Sequence, residues 1–189
     1  GDAVMNGQVE EHRFDAGIVV LNYAEVQAVA PKLVMLHGGT ARWQTFVGMV
    51  ADLAAAWHLY LPDFRGHGRS GRTPGHYRLA DFAADTCAFL AARVTDPAIL
   101  FGHSLGGSIA LLAAAQCPDM VAGVIVGDAS LDQATWEASL RAQRADLLAW
   151  HALAGGRVPL AAIIEALKDA PAWAGDANTP RMRELLGED

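Results

Sequence analysis

The chain has 189 residues, enough for one domain with a substantial core and too few for two ordinary ones. Hydrophobic residues make up 52% of it and charged residues 19%, which argues against disorder. The formal net charge is −7 and no Lys/Arg cluster occurs, so neither nucleic acid nor an anionic membrane is an expected partner.

No apolar run approaches the roughly 18 residues that a bilayer span needs. The opening GDAVMNG has neither a basic segment nor an apolar one, so no signal peptide is expected. Cys87 and Cys117 fall in separate helical patterns without metal-ligand spacing, and a reducing cytoplasm is the default expectation.

Val9 to Phe14 and Ile18 to Tyr23 read as two short strands joined by Asp15-Ala16-Gly17, a plausible hairpin. Leu33 to Leu36 is a compact apolar strand that runs into His37-Gly38-Gly39-Thr40. Trp43 to Trp57 carries apolar residues at helical spacing. His58 to Leu61 is a further strand, ending in the turn-rich Asp63-Phe64-Arg65-Gly66-His67-Gly68-Arg69-Ser70. Leu79 to Val94 is helical, with Leu79, Phe82, Ala83, Thr86 and Leu90 on one face.

Ala98 to Phe101 then reads as a buried strand, and LGGSIALLAAAQ, closed by Pro118, as a helix. Val121 to Val126 is a continuous apolar strand ending at Gly127-Asp128. From the third strand onward strands alternate with helices, the pattern of a mostly parallel sheet covered on both faces. After Asp128 only helical period and turn chemistry follow. Leu131 to Leu153 and Val158 to Leu167 read as helices, and a turn-rich tail ends in a short polar one. No repeats or low-complexity tracts occur.

The chemistry concentrates at Gly102-His103-Ser104-Leu105-Gly106, a G-x-S-x-G between a strand and a helix. A serine raised on so sharp a turn needs very small residues two positions to either side, and Gly102 and Gly106 meet that need. Gly107 would let the helix pack close to the sheet. The first free N–H groups of the helix, with their partial positive charge, point into the space above Ser104.

The Gly38-Gly39 turn ends another strand of the same set. Its N–H groups can face the same pocket, which makes Gly39 and Leu105 the expected oxyanion donors. His37 reads as a buried hydrogen-bonding residue rather than a base. The Asp63–Ser70 run lacks phosphate-loop spacing and reads as a structural turn. His37, His67 and His103 show no ligand spacing, so neither a metal nor a cofactor is expected.

LVMLHGG, LPDFRGHGRS and FGHSLGGSIALLAAAQCPDMVAGVIVGDA together resemble the α/β-hydrolase superfamily, more narrowly its esterase, lipase and haloperoxidase-like branch. The resemblance covers about Val9 to Asp128. It implies an αβα sandwich, Ser104 as nucleophile, and a division into a hydrolase core over 1–128 and a helical cap over 129–189. A serine nucleophile disfavours haloalkane dehalogenases and epoxide hydrolases. Trp136, Trp150 and Trp173 in the cap region suggest a mainly apolar pocket for a small ester or thioester.

The family orders its triad Ser…Asp/Glu…His, with acid and base on loops after later strands. Those strands are not found here. Asp128 is the candidate acid and His151, the one histidine after the elbow, the candidate base. A companion C-terminal portion, or association of copies through the last strand, is therefore expected. C–C bond hydrolysis or perhydrolysis on the same elbow, and a non-catalytic binding protein, are the alternatives.

Overall fold

The β-branched and aromatic runs of the first half form a hairpin and a sheet, as their alternation dictates. The computed structural model describes residues 9–129, 131–142, 144, 148 and 158–167. Strands β1 (Glu10–Asp15) and β2 (Val20–Val26) pair antiparallel. Their turn is held by Asp15 Oδ1, which accepts the Gly17 N–H at 2.8 Å. β3 (Lys32–Leu36), β4 (His58–Pro62), β5 (Ala98–His103) and β6 (Val121–Gly127) complete a six-stranded sheet in the order β1-β2-β4-β3-β5-β6. β4, β3, β5 and β6 run parallel to their neighbours, and the β2–β4 pairing is antiparallel.

Helix α1 (Val47–Ala54) covers one face, where Val50 packs with Trp43, Phe46, Met35, Leu59 and Leu61. Helices α2 (Leu79–Phe89) and α3 (Leu105–Gln116) cover the other, where Phe82, Phe89, Ile109, Ala110 and Ala113 meet Phe14, Tyr23, Val34 and Leu100. The αβα layering expected from the sequence is thus the observed one.

Two helices depart from the expected form. The helix expected from Trp43 begins as a 3₁₀ turn over Trp43–Phe46, with the Thr45 N–H on the Arg42 carbonyl at 3.0 Å, and the Asp63 carboxylate accepts its first N–H, that of Trp43, at 2.8 Å. The Leu79–Val94 helix widens into a π turn over Leu90–Val94, closed by the Thr95 N–H onto the Leu90 carbonyl at 2.8 Å. Cys87 on α2 and Cys117 just past α3 form a disulfide, with Cα atoms 6.0 Å apart. The two helical patterns that carry them, distant in sequence, are packed side by side here.

Residues divide into two compact units, Gly1–Leu131 and Asp132–Asp189. In the second, α4 (Gln133–Ala142) is capped by Asp132, whose carboxylate accepts the Thr135 N–H and hydroxyl at 2.8 and 2.7 Å. Those bonds hold the Asp132 carboxyl below the usual range. A second helix, α5, spans Leu160–Leu167. Most of the expected helix beyond Ala142, and the tail from 168, lie outside the described residues. No described helix is long and apolar enough to cross a membrane.

Candidate active site

Ser104 takes φ 51°, ψ −118°, a backbone conformation that L-residues rarely hold. What keeps it there is contact on both sides. A Cβ on Gly102 would lie 2.2 Å from the Gly106 carbonyl oxygen, and one on Gly106 would lie 2.1 Å from the Leu36 carbonyl oxygen. Only glycine at both positions lets β5 turn into α3 hard against the end of β3. The Gly107 and Ser108 N–H groups bond back to the Ser104 carbonyl at 2.9 and 3.3 Å. The Ser104 N–H donates to Gly127 at the end of β6 at 2.8 Å. The side chain is left half-buried at the carboxyl end of the parallel strands.

The Gly38–Thr40 turn lies directly alongside. The Cβ position of Gly38 is 3.5 Å from Ser104 Cβ and 3.0 Å from His103 Nδ1, and that of Gly39 is 4.0 Å from Leu105 Cδ2. The two residues expected to donate to an oxyanion, Gly39 and Leu105, are therefore neighbours. His103 is exposed beside them.

Two consecutive residues at the end of β4 grip this turn at both ends. At its entrance, His37 Nε2 accepts the Phe64 N–H at 3.1 Å, and its Nδ1 lies 2.7 Å from the Gly38 carbonyl. An amide N–H can only donate, so the proton of the neutral ring must sit on Nδ1. Burial lowers the His37 pKa to about 4. With both nitrogens engaged and the ring neutral, His37 is neither a free base nor a metal ligand.

At the exit, Asp63 Oδ1 holds the Trp43 N–H, while its Oδ2 accepts from Asn22 Nδ2 and the Arg69 N–H, both at 3.0 Å. Next to it, Arg65 pairs with Asp85 through two 2.7 Å bonds and donates to the His76 carbonyl at 3.0 Å. The Asp63–Ser70 run is a hydrogen-bonded structural turn, as read from the sequence. What the sequence reading missed is its target, the Gly38–Arg42 segment; an aspartate directly after a strand was the available signal.

Four described non-glycine residues have positive φ, and three of them end adjacent parallel strands: Thr40 after β3, Ser104 after β5 and Asp128 after β6. Thr95, the fourth, caps a helix. Strain of this sort costs on the order of 1–3 kcal/mol per residue and persists where a site demands it. Asp128 is exposed at φ 48°. His151 lies outside the described residues, as do Trp150, Trp173 and the side chain of Trp136.

A mostly parallel sheet between helices, with a strained serine at a strand-to-helix turn and a glycine turn from the next strand beside it, is the architecture of the α/β-hydrolase class. Residues 31–154 match the model of the alpha/beta hydrolase fold family, and the chain belongs to that family. It is 33% identical over 116 residues to a 2-(acetamidomethylene)succinate hydrolase of Mesorhizobium japonicum, covering 61% of this chain and 41% of that protein. It is 38% identical over 104 residues to a pimeloyl-[acyl-carrier protein] methyl ester esterase of Xylella fastidiosa, covering 55% and 38%. Among solved structures, E-2-(acetamidomethylene)succinate hydrolase superposes with a TM-score of 0.64 at 29% identity, over 71% of this chain and 50% of that one. The chain thus spans about two fifths of the length of the relatives it matches.

Proposed function

We propose that this chain is the nucleophile-bearing part of a serine hydrolase that cleaves small, largely apolar esters or thioesters through an acyl-enzyme at Ser104. The observation that carries this reading is the Ser104 backbone, held at φ 51° beside the Gly38-Gly39 turn. Ser104 Oγ attacks the substrate carbonyl carbon, and the oxygen that gains charge is met by the N–H groups of Gly39 and Leu105. A donor of this kind typically accounts for about 10²–10³ in rate. The similarity to a methyl ester esterase supports an ester as substrate.

The base must come from elsewhere than His37, which is neutral and spoken for at both nitrogens. Asp128, strained at the end of β6, is the proposed acid. The base is His151 or a histidine on a further segment. Residues 129–189 are proposed to be the family's helical cap region. The edge of β6 takes a further strand, from a longer form of the chain, a companion polypeptide or a second copy. The cytoplasmic placement expected from the sequence is not carried forward, because the Cys87–Cys117 disulfide fits an oxidising compartment better.

The test is a fluorophosphonate probe, which phosphonylates activated serines. Labelling is expected at Ser104 when the protein carries its base, and Ser104→Ala should abolish it. Labelling that survives in the Ala variant would move the nucleophile elsewhere. A complete protein that takes no label would favour the non-catalytic binding reading.

A further inference from the structure

The helix that carries the elbow turns mostly small side chains to the core, ending with Ala113 toward its carboxyl end. The buried face of α3 is Gly106, Gly107, Ile109, Ala110 and Ala113, so four of its five inward residues bring little apolar surface. Burial stabilises in proportion to the apolar area removed from water, and glycine and alanine remove the least. The sheet beneath α3 ends at β6, the outermost strand among the described residues. On the outer side of the helix Leu111 is exposed.

At this end the chain places its two cysteines, the only ones it has. Cys87 is half-buried on α2, and Cys117 is half-buried at the residue that ends α3. Both pack against the core cluster that includes Phe89, Ile109 and Ala113. Their Cα separation of 6.0 Å lies in the range that a disulfide spans without backbone movement, and they are joined. The bond closes a loop containing the whole of β5, the elbow and α3.

We propose that Cys87 and Cys117 act as an oxidative tether that pins the carboxyl end of α3 to α2, and that the protein works in an oxidising compartment. The tether stands independently of whether Ser104 is a nucleophile. It forms by two exchanges with a disulfide donor, such as oxidised glutathione or a thiol oxidoreductase. The thiolate of one cysteine attacks a donor sulfur and expels the first donor thiolate. The second cysteine's thiolate attacks the mixed disulfide and expels the other. The two protons lost by Cys87 and Cys117 end on the two donor thiols, and two electrons pass to the donor.

The first measurement is the number of free thiols in the full chain, purified without reductant and equilibrated with a mixed glutathione buffer of oxidising poise. Denatured in an alkylating agent, it should take up no label at Cys87 or Cys117, and should take up two labels per chain after reduction. Alkylation of both residues without reductant would overturn the proposal.

The second measurement is thermal unfolding. Closing a loop of this size, with 30 residues of separation, predicts that reduction lowers Tm by on the order of 10 °C. The same chain made in a reducing cytosol should start at the lower Tm and rise on oxidation. A Cys87→Ser/Cys117→Ser variant should melt at the reduced value and ignore reductant. An oxidised wild-type chain whose Tm does not move on reduction would show that the bond tethers nothing, and the wild-type comparison stands even if the double variant does not fold.

Discussion

The two outermost strands of the sheet, among the described residues, are built by opposite rules. β1, at one edge, reads Glu-Glu-His-Arg-Phe-Asp, with its charges exposed and only Phe14 turned into the core. β6, at the other, reads Val-Ala-Gly-Val-Ile-Val-Gly, carries no charge, and has Ala122 and Ile125 exposed. Charges along an edge strand stop other strands from adding to it. β1 is thus a finished edge, while β6 has the composition of a strand paired on both sides. The polar groups follow the same division. On the β1–β2–β4 side, Glu11 meets the Trp43 indole N–H and Arg69, and Asp63 accepts three donors. On the β5–β6 side lie the strained Ser104 and Asp128.

The largest effect should come from breaking this contrast at β6. Residues 1–189 alone are expected to self-associate through that edge, or to pair with a polypeptide that supplies a neighbouring strand. Ala122→Lys or Ile125→Lys would give β6 the character of β1, and should shift the species seen by light scattering toward the monomer. A monodisperse wild-type monomer of about 20 kDa that hydrolyses esters would sink the idea, and would place Asp128 and His151 in the triad.

Acid should probe the finished side next. His37 is held neutral between Phe64 and Gly38, with its pKa near 4 against about 6.5 when unfolded. Above pH 6.5 both states carry a neutral ring, and this group makes no pH-dependent difference. Below it, the unfolded chain takes up a proton that the folded one refuses until about pH 4. Stability therefore falls across that window, by about 3 kcal/mol from this residue. The check is the urea midpoint at pH 7 and pH 4.5 for wild type and His37→Gln. The variant should be weaker at pH 7 but lose less on acidification; equal losses would remove His37 as the cause.

How much of this was legible in the sequence depended on the range of the interaction. The elbow could be read because its requirements lie within five residues: glycine at 102 and 106 around a serine, between an apolar run and a helical one. The mostly parallel character of the sheet followed from alternating strands and helices, but its strand order, β1-β2-β4-β3-β5-β6, did not. What stayed hidden were contacts between segments that only the fold brings together. Cys87 meets Cys117 because α2 and α3 pack side by side, and Asp63 meets Trp43 because β4 lies next to β3. The strain at Thr40 was hidden too, since a β-branched residue does not announce a positive φ. The 3₁₀ start at Trp43 was missed too.

The smallest effect should appear on the edge that is already finished. Arg13 sits on β1 with its guanidinium in solvent, and Nη1 donates to the Arg69 carbonyl at 2.7 Å. Arg13→Val removes that bond and one charge and adds a β-branched residue, a substitution in the direction of β6. An exposed hydrogen bond of this type contributes about 0.5–1.5 kcal/mol, and valine's preference for strands offsets part of the loss. Glu10, Glu11 and Asp15 still charge the strand. The urea midpoint should therefore shift by no more than about 1 kcal/mol equivalent, and the association state should not change. If Arg13→Val drove association as strongly as the β6 lysines relieve it, edge charge would have to be read residue by residue, and the contrast between the two edges would lose its force.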